Sequence, residues 1–155
     1  MKIRLILGIL IFIACFFIAL IKNTKQKARH LIFNDLYNFN EQLISELGGQ
    51  RRSVNEILSN NSYCYEFIQL YNEYAENNRL EESKFNLSGE EINFISEYFY
   101  ILTKIDLSSK KELIVNMRDR LKYYRDIAFD DMKKKSFFTY KISLLIGGFI
   151  FIVII

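Results

Sequence analysis

The sequence is poor in the residues that break helices and in those that carry most enzyme chemistry. Its 155 residues include no proline, six glycines, two cysteines and one histidine. An all-β protein or a proline-rich linker would need the turn chemistry that proline supplies, so its absence predicts uninterrupted helices. The length gives room for one domain.

The longest apolar stretches lie towards the two ends of the chain. Residues 5–21 carry no charge, and the stretch reaches about 19 residues if Arg4 extends to the lipid headgroups. Residues 137–155 have a similar length if Lys141 does the same. A helix of about 19 residues spans roughly 28 Å, close to the thickness of the hydrocarbon core of a bilayer. Each stretch therefore predicts a transmembrane helix.

The two spans divide the chain into three predicted segments. Residues 1–21 and 137–155 are the transmembrane helices, and residues 22–136 form a helical bundle between them. The first stretch also has the basic start and apolar run of a secretory signal. The apolar run continues past Cys15, where a mature lipoprotein should turn polar, so we expect the stretch to be kept as an anchor.

Basic residues flank the middle segment on both sides, whereas the N-terminal tail has only Lys2 and Arg4. By the positive-inside rule, the middle segment is expected in the cytoplasm and both termini on the far side of the cell membrane. Basic side chains near anionic lipid contribute about 1 kcal/mol each, which would hold the flanks at the cytoplasmic leaflet. The predicted membrane-surface residues are Lys22, Lys25, Lys27, Arg29, Lys133, Lys134, Lys135 and Lys141.

Apolar residues in the middle segment recur every three or four positions, as on one face of a helix. Three such series predict the main helices of an antiparallel bundle. The first helix should grow out of the first span and end at Gly48-Gly49, and the last should run into the second span. The series are Ile32, Leu36, Phe39, Leu43 and Leu47; Ile92, Ile95, Phe99 and Leu102; and Leu113, Met117, Leu121, Tyr124 and Ala128.

Helix starts are marked by Ser-x-x-Glu sequences, in which each side chain can accept a hydrogen bond from the other residue's backbone N–H. Residues 60–62 are expected to separate two further helices, the second of which ends at residues 77–78. Residues 79–87 carry no clear pattern. The three Ser-x-x-Glu pairs are Ser53 with Glu56, Ser88 with Glu91, and Ser109 with Glu112.

Acidic residues are concentrated in the middle helices. Residues 66–97 contain eight glutamates against Arg79 and Lys84. Charged helix faces are usually only solvated, so solubility is one interpretation. The other is a docking surface for a basic partner, for which the candidate residues are Glu73, Glu76, Glu81 and Glu82.

No residue pattern favours catalysis. His30 lies in a basic run without Ser, Cys or Asp in catalytic spacing. Cys15 and Cys64 cannot form a metal site of ordinary spacing, and the glycines form no phosphate-binding loop. The aromatic residues lie on acidic helices, which would repel nucleic acid. We therefore expect a protein that is not an enzyme and that binds no cofactor and no nucleic acid.

Small residues stand four positions apart in both predicted spans. Cys15 with Ala19, and Ser143 with Gly147, would let helices approach closely in lipid. In an antiparallel pair, Ala19 lies level with Ser143 and Cys15 with Gly147. Such spacing also arises by chance in apolar helices, so both interpretations stay open, as does a homo-oligomer.

Three stretches of the chain are similar to one bacterial family. They correspond to that family's early helices, to its Leu-Gly-x-Ser-Asp turn and to the start of its last span. In the turn, Asp106 stands in place of Gly and Ser109 in place of Asp. On these motifs the chain resembles, over nearly its whole length, the stage III sporulation protein AB family of endospore-forming bacteria. The stretches are Leu43, Glu46 and Leu47 with Val54, Glu56 and Leu58; residues 105–109; and residues 140–148.

The resemblance implies a component of the secretion-like channel apparatus between mother cell and forespore, on the mother-cell side. Its domain would be similar to those of type II secretion platform proteins, with a cytoplasmic ATPase and other channel components as partners. No catalytic residue is carried over. We thus expect an all-α, two-span platform that acts by protein–protein interaction. The alternatives are a two-span sensor whose domain faces outward, and a membrane enzyme that depends on His30.

Overall fold

Five α-helices make up most of the computed structural model, which describes residues 2–46, 54–60, 62–81, 84–104 and 107–154. No strand occurs within these ranges, so the predicted all-α class is confirmed. The helices are α1 (Lys2–Glu46), α2 (Val54–Asn60), α3 (Tyr65–Asn77), α4 (Gly89–Lys104) and α5 (Leu107–Ile154).

The chain is organised as two compact units. Unit 1 comprises Met1–Lys27 and Ala128–Ile155, and unit 2 comprises Ala28–Ile127. Helices α1 and α5 each contribute to both units. We expected the divisions at residues 21/22 and 136/137. Unit 1 contains both apolar stretches and extends into the basic flanks, where Asn23 and Ala128 are buried.

Helix α1 follows its predicted pattern. Ile32, Leu36 and Phe39 are completely buried, and Leu43 is 6% exposed. The helix is continuous from Lys2 to Glu46, as expected for a domain helix that grows out of the first apolar stretch. Leu47 and the predicted stop at Gly48-Gly49 lie outside the described residues.

The core of unit 2 is built largely from aromatic rings. The ring of Phe67 on α3 lies 5.7 Å from that of Phe39 on α1 and 6.5 Å from that of Phe99 on α4. Tyr124 on α5 stacks on Phe33 at 5.3 Å and on Phe94 at 4.5 Å. Each such pair contributes about 0.5–1.5 kcal/mol beyond the burial of its area. The rings therefore join α1, α3, α4 and α5 into one bundle.

Helix α5 runs antiparallel to its neighbours in unit 2. Phe33 of α1 contacts Tyr124 of α5, and Glu41 of α1 contacts Arg118 of α5. Residues later in α1 therefore pair with residues earlier in α5. The same holds for α4. Phe94 contacts Tyr124, and Glu97, one turn later in α4, lies 3.0 Å from Arg120, one turn earlier in α5. These contacts agree with the bundle geometry that the three apolar series predict.

The predicted buried face of α5 is largely correct, but its predicted start is wrong. Leu121 is completely buried and Met117 is 5% exposed, whereas Ile114 rather than Leu113 occupies the core at the beginning of the series. The helix begins at Leu107, two residues before the candidate cap Ser109, whose side chain lies outside the described residues. Residues 105 and 106 of the family-like turn lie outside the described residues.

The end of α3 shows how an asparagine stops a helix. Asn78 has φ 53° and ψ 22°, in the left-handed region that asparagine tolerates, and its N–H donates to the Tyr74 carbonyl at 2.8 Å. Beyond it, Leu80 and Phe85 are buried, so part of the stretch without a sequence pattern belongs to the core. The break expected at residues 60–62 is confirmed by the end of α2, while Ser53 lies outside the described residues.

Candidate interaction sites

An ion pair is buried inside unit 2. The Arg29 guanidinium lies 2.7 Å from the Glu91 carboxylate, with the two side chains 15% and 5% exposed. The other carboxylate oxygen accepts the Ser88 N–H at 2.8 Å, and the Ser88 hydroxyl accepts the Glu91 N–H at 3.3 Å. The predicted capping box at Ser88 is therefore confirmed.

This pair corrects the assignment of Arg29 to the membrane surface. A buried carboxylate is stable only with a cation and hydrogen-bond donors around it, and Arg29 supplies the cation for Glu91. The seven other predicted membrane-surface residues are exposed: Lys22, Lys25, Lys27, Lys133, Lys134, Lys135 and Lys141.

A groove of about 660 Å³ runs along α3 beside residues 84 and 85. Glu73 on its wall is not free, because its carboxylate lies 3.3 Å from the Lys84 ammonium and accepts the Glu81 N–H at 3.2 Å. Glu81 itself lies 3.4 Å from Lys84. Glu76 lines the same groove and is exposed. Of the predicted docking residues, Glu73 thus binds Lys84 and the Glu81 N–H, Glu76 faces the groove, and Glu82 lies outside the described residues.

A second groove, of about 590 Å³, adjoins the start of α4. Glu81 and Arg79 both line it, together with Asn93 and Ser96. Glu81 therefore lies where it can face a ligand in this groove. We call the two grooves, with Glu76 and Glu81, the acidic surface.

Unit 1 exposes apolar side chains on both of its helix segments. The most exposed are Leu10, Phe17, Ile18 and Ile21 on α1, and Phe137, Phe138, Leu144, Leu145, Phe149 and Ile152 on α5, each between 55% and 75% exposed. Within the described residues, Gly8–Glu46 is a helix long and apolar enough to cross a membrane, with a mean hydropathy of 1.8 in its most apolar window. A signal sequence or the core helix of a soluble protein can have the same length and composition.

The two helix segments of unit 1 contact each other at Gly147, and the predicted pairing of Cys15 with Gly147 stays a prediction. A methyl group at Gly147 would lie 2.9 Å from Cδ2 of Phe12, so the aromatic ring fills the space that the glycine leaves. The small-residue pattern placed Cys15, three residues further on, level with Gly147; the Cys15 side chain lies outside the described residues. Ala19 is buried and Ser143 is half-buried.

Three lysines of unit 1 line one cavity. Lys22, Lys25 and Lys135 surround about 310 Å³ together with Asn23, Gln26, Phe138 and Thr139. A second cavity of about 400 Å³ shares three of these residues with the first and is otherwise lined by Ile18, Ile142, Ser143 and Ile146. The shared residues are Lys22, Phe138 and Thr139. We call the first the basic cavity and the second the apolar cavity.

Sequence reasoning missed the contribution of Gln26, Phe138 and Thr139 to these cavities. The available signal was the helical spacing of Lys22, Lys25 and Gln26, which lie on one face of α1. The partner residues on α5 could not be deduced, since they depend on the register between two segments more than 100 residues apart.

Burial shifts the pKa values of His30 and Cys64, the two side chains of unit 2 that are most often reactive in enzymes. Burial lowers the pKa of His30, as does the positive charge of Arg125, while Asp35 opposes both. Burial raises the pKa of the Cys64 thiol to about 12, so the thiol is protonated at neutral pH and is a poor nucleophile. The backbone N–H of Cys64 donates to Asp35 at 2.6 Å. Among the described residues, no three His, Cys, Asp or Glu side chains lie close enough together to hold a metal ion.

The chain matches no protein-family model, no curated protein and no solved structure. A functional conclusion therefore depends on the chemistry of the surfaces described above.

Proposed function

We propose that this chain is a two-span membrane protein whose helical domain, unit 2, docks other proteins and carries out no reaction. The observation that carries the proposal is the apolar surface that both helix segments of unit 1 turn outward. On the family resemblance, the docked proteins are components of the sporulation channel apparatus, including a cytoplasmic ATPase.

The exposure of unit 1 supports a membrane anchor over a soluble core. Phe17 is 57% exposed on α1, and Phe149 is 70% exposed on α5. Soluble monomers rarely expose contiguous apolar patches of more than a few hundred Å². Only 18% of the most apolar window of α1 is buried, whereas a core helix would be mostly buried. Lipid is the surrounding that these side chains fit best.

The charges next to these segments support an orientation. The seven exposed lysines lie at the ends of the apolar stretches that adjoin the middle of the chain. Positive residues are retained on the cytoplasmic side, so the proposal places unit 2 in the cytoplasm. In an endospore-forming cell, the family resemblance makes this the mother-cell side.

The acidic surface supports docking by charge. Glu76 and Glu81 are exposed and line grooves of several hundred Å³. Glu81 also lies 3.4 Å from Lys84, at a side chain that is 61% exposed, whereas the Glu73 side chain is only 12% exposed. A negative surface steers a basic partner towards it and discriminates against acidic ones. The carboxylates act here as recognition groups, so the docking needs no chemical step.

The test is recovery of partner proteins on the full chain from detergent-solubilised membranes of an endospore-forming host. We expect Glu76→Gln combined with Glu81→Gln to recover less partner, with a weaker dependence on salt, because the steering charge is lost. Glu73 is left unchanged because its carboxylate binds Lys84 and the Glu81 N–H. Exposed pairs such as Glu81 with Lys84 contribute little to stability, so the variant should still fold.

The matched control is Glu112→Gln combined with Asp119→Asn, which removes the same charge from exposed positions on α5. It should keep wild-type recovery. If both double variants recover every partner at wild-type levels across the salt range, the acidic surface serves solubility and is not the docking site.

A further inference from the structure

The basic cavity and the apolar cavity of unit 1 share one wall, so a single amphiphilic molecule can occupy both. We propose that together they bind one anionic phospholipid, with its phosphate in the basic cavity and an acyl chain in the apolar cavity. The inference rests on the proposed membrane anchoring and adds a specific lipid site to it.

The charges of the basic cavity fit a phosphate. Lys22 and Lys25 have no acidic partner within the described residues, and both are exposed towards the cavity they line. Lys135 donates to Asp131 at 3.0 Å, which leaves further N–H groups on its ammonium for a ligand. Three cations beside one carboxylate give the cavity a net positive charge. An anion is therefore favoured over a zwitterion.

A further polar atom points to a headgroup with a hydroxyl. Oε1 of Gln26 is buried and accepts no hydrogen bond from any described residue, although Gln26 lines the basic cavity. A buried acceptor without a donor is unfavourable, and a ligand hydroxyl would satisfy it once the Gln26 amide turns towards the cavity that this residue lines. Phosphatidylglycerol carries both the phosphate and the hydroxyls that this combination suits.

The apolar cavity explains why the ligand is a lipid and not a free phosphate compound. Ile18, Ile142 and Ile146 offer a hydrocarbon surface that continues directly from Phe138 of the basic cavity. A soluble phosphate compound would fill the basic cavity alone and leave these side chains without a partner. An acyl chain buries them, which adds a hydrophobic contribution to binding.

The experiment uses the full chain in phosphatidylcholine nanodiscs and measures the binding of added phosphatidylglycerol by native mass spectrometry. Lys22→Gln combined with Lys25→Gln should weaken binding at least tenfold, since each ammonium near an anionic lipid contributes roughly fivefold. The matched control, Lys133→Gln combined with Lys134→Gln, removes two exposed lysines of the other flank that do not line the cavity. It should change binding less than threefold.

Three results would overturn the inference. Equal losses in the two double variants would show that the whole basic flank attracts anionic lipid without a site. Glycerol phosphate that binds as tightly as the lipid would show a site for a free phosphate compound. Equal binding of added phosphatidylcholine would show that the phosphate charge is not recognised.

A separate measurement distinguishes failure of the site from failure of the anchor. Each variant is floated with phosphatidylcholine vesicles after an alkaline carbonate wash. A chain that remains with the vesicles but shows no lipid preference overturns this inference and leaves the membrane anchor intact. A wild-type chain that carbonate removes overturns both.

Discussion

At the scale of single residues, Glu91 combines two roles. It completes the capping box at the start of α4 and it neutralises Arg29 from α1, 62 positions earlier in the chain. Both carboxylate oxygens are therefore engaged although the side chain is only 5% exposed. Removing one member of a buried ion pair is costly because the other charge is left buried and uncompensated.

We predict that Glu91→Gln lowers the free energy of unfolding by about 3 kcal/mol, because Arg29 would lose the carboxylate that lies 2.7 Å from its guanidinium. The exposed neighbour supplies the control: Glu90→Gln should change stability by less than about 0.5 kcal/mol. Denaturant unfolding of the full chain in micelles, followed by circular dichroism, measures both. Similar small effects at the two positions would show that the ion pair contributes nothing.

At the scale of elements, Gly147 is a point of close contact between α1 and α5 in unit 1. Gly147 is buried against the ring of Phe12, whereas nothing lies within 4 Å of the position that a methyl group at Gly148 would take. Two adjacent glycines in one helix thus face different surroundings. Substituting each by alanine separates the effect of alanine on side-chain packing from its effect on helix propensity.

We predict that Gly147→Ala destabilises the helix pair by about 1–3 kcal/mol, since the Phe12 ring must move to admit the methyl group. Gly148→Ala should be neutral or stabilising by up to about 1 kcal/mol, because alanine favours the helix and meets no neighbour. Titration of the micelle-bound chain with a denaturing detergent reports the loss of structure.

A second substitution tests whether the destabilisation by Gly147→Ala comes from its contact with Phe12. When Phe12→Ala is added, Gly147→Ala should no longer be destabilising, because the ring that it meets is gone. A penalty that persists in the double variant would show that the contact with Phe12 is not its cause.

At the scale of the whole molecule, the side of the membrane that unit 2 faces separates the platform from the sensor. Unit 2 is one contiguous stretch, Ala28–Ile127, so both of its ends adjoin the helix segments of unit 1. A pair of spans keeps both ends of such a stretch on one side of the membrane. In the proposed topology that side is the cytoplasm, because the exposed lysines flank the two apolar stretches there.

We predict that Ser62→Cys, in a chain with Cys15 and Cys64 replaced by alanine, resists a membrane-impermeant thiol reagent in intact cells. Ser62 is exposed in unit 2 and differs from cysteine by one atom, so the substitution should not disturb the fold. Permeabilised cells serve as the control and should be labelled fully. Labelling of intact cells would favour the outward-facing sensor and exclude the cytoplasmic platform.

The pattern of residues along the chain determined the helical class and the buried faces, because both depend on spacings of three or four residues. Leu36 and Leu121 lie in the core as that spacing requires, and the Ser88 capping box forms as its local chemistry requires. The same local logic failed at Ser109, where α5 begins two residues earlier than its candidate cap.

Tertiary structure alone decided which charged residues form ion pairs and which small residues lie at helix contacts. Arg29 looks like its neighbouring lysines in sequence, yet it is buried with Glu91, and Glu73 is engaged by Lys84 while Glu76 is not. Gly147 contacts Phe12, more than 130 positions away. Such pairings depend on the register between helices, which is set by how side chains fill the space between them, and no local spacing contains that information.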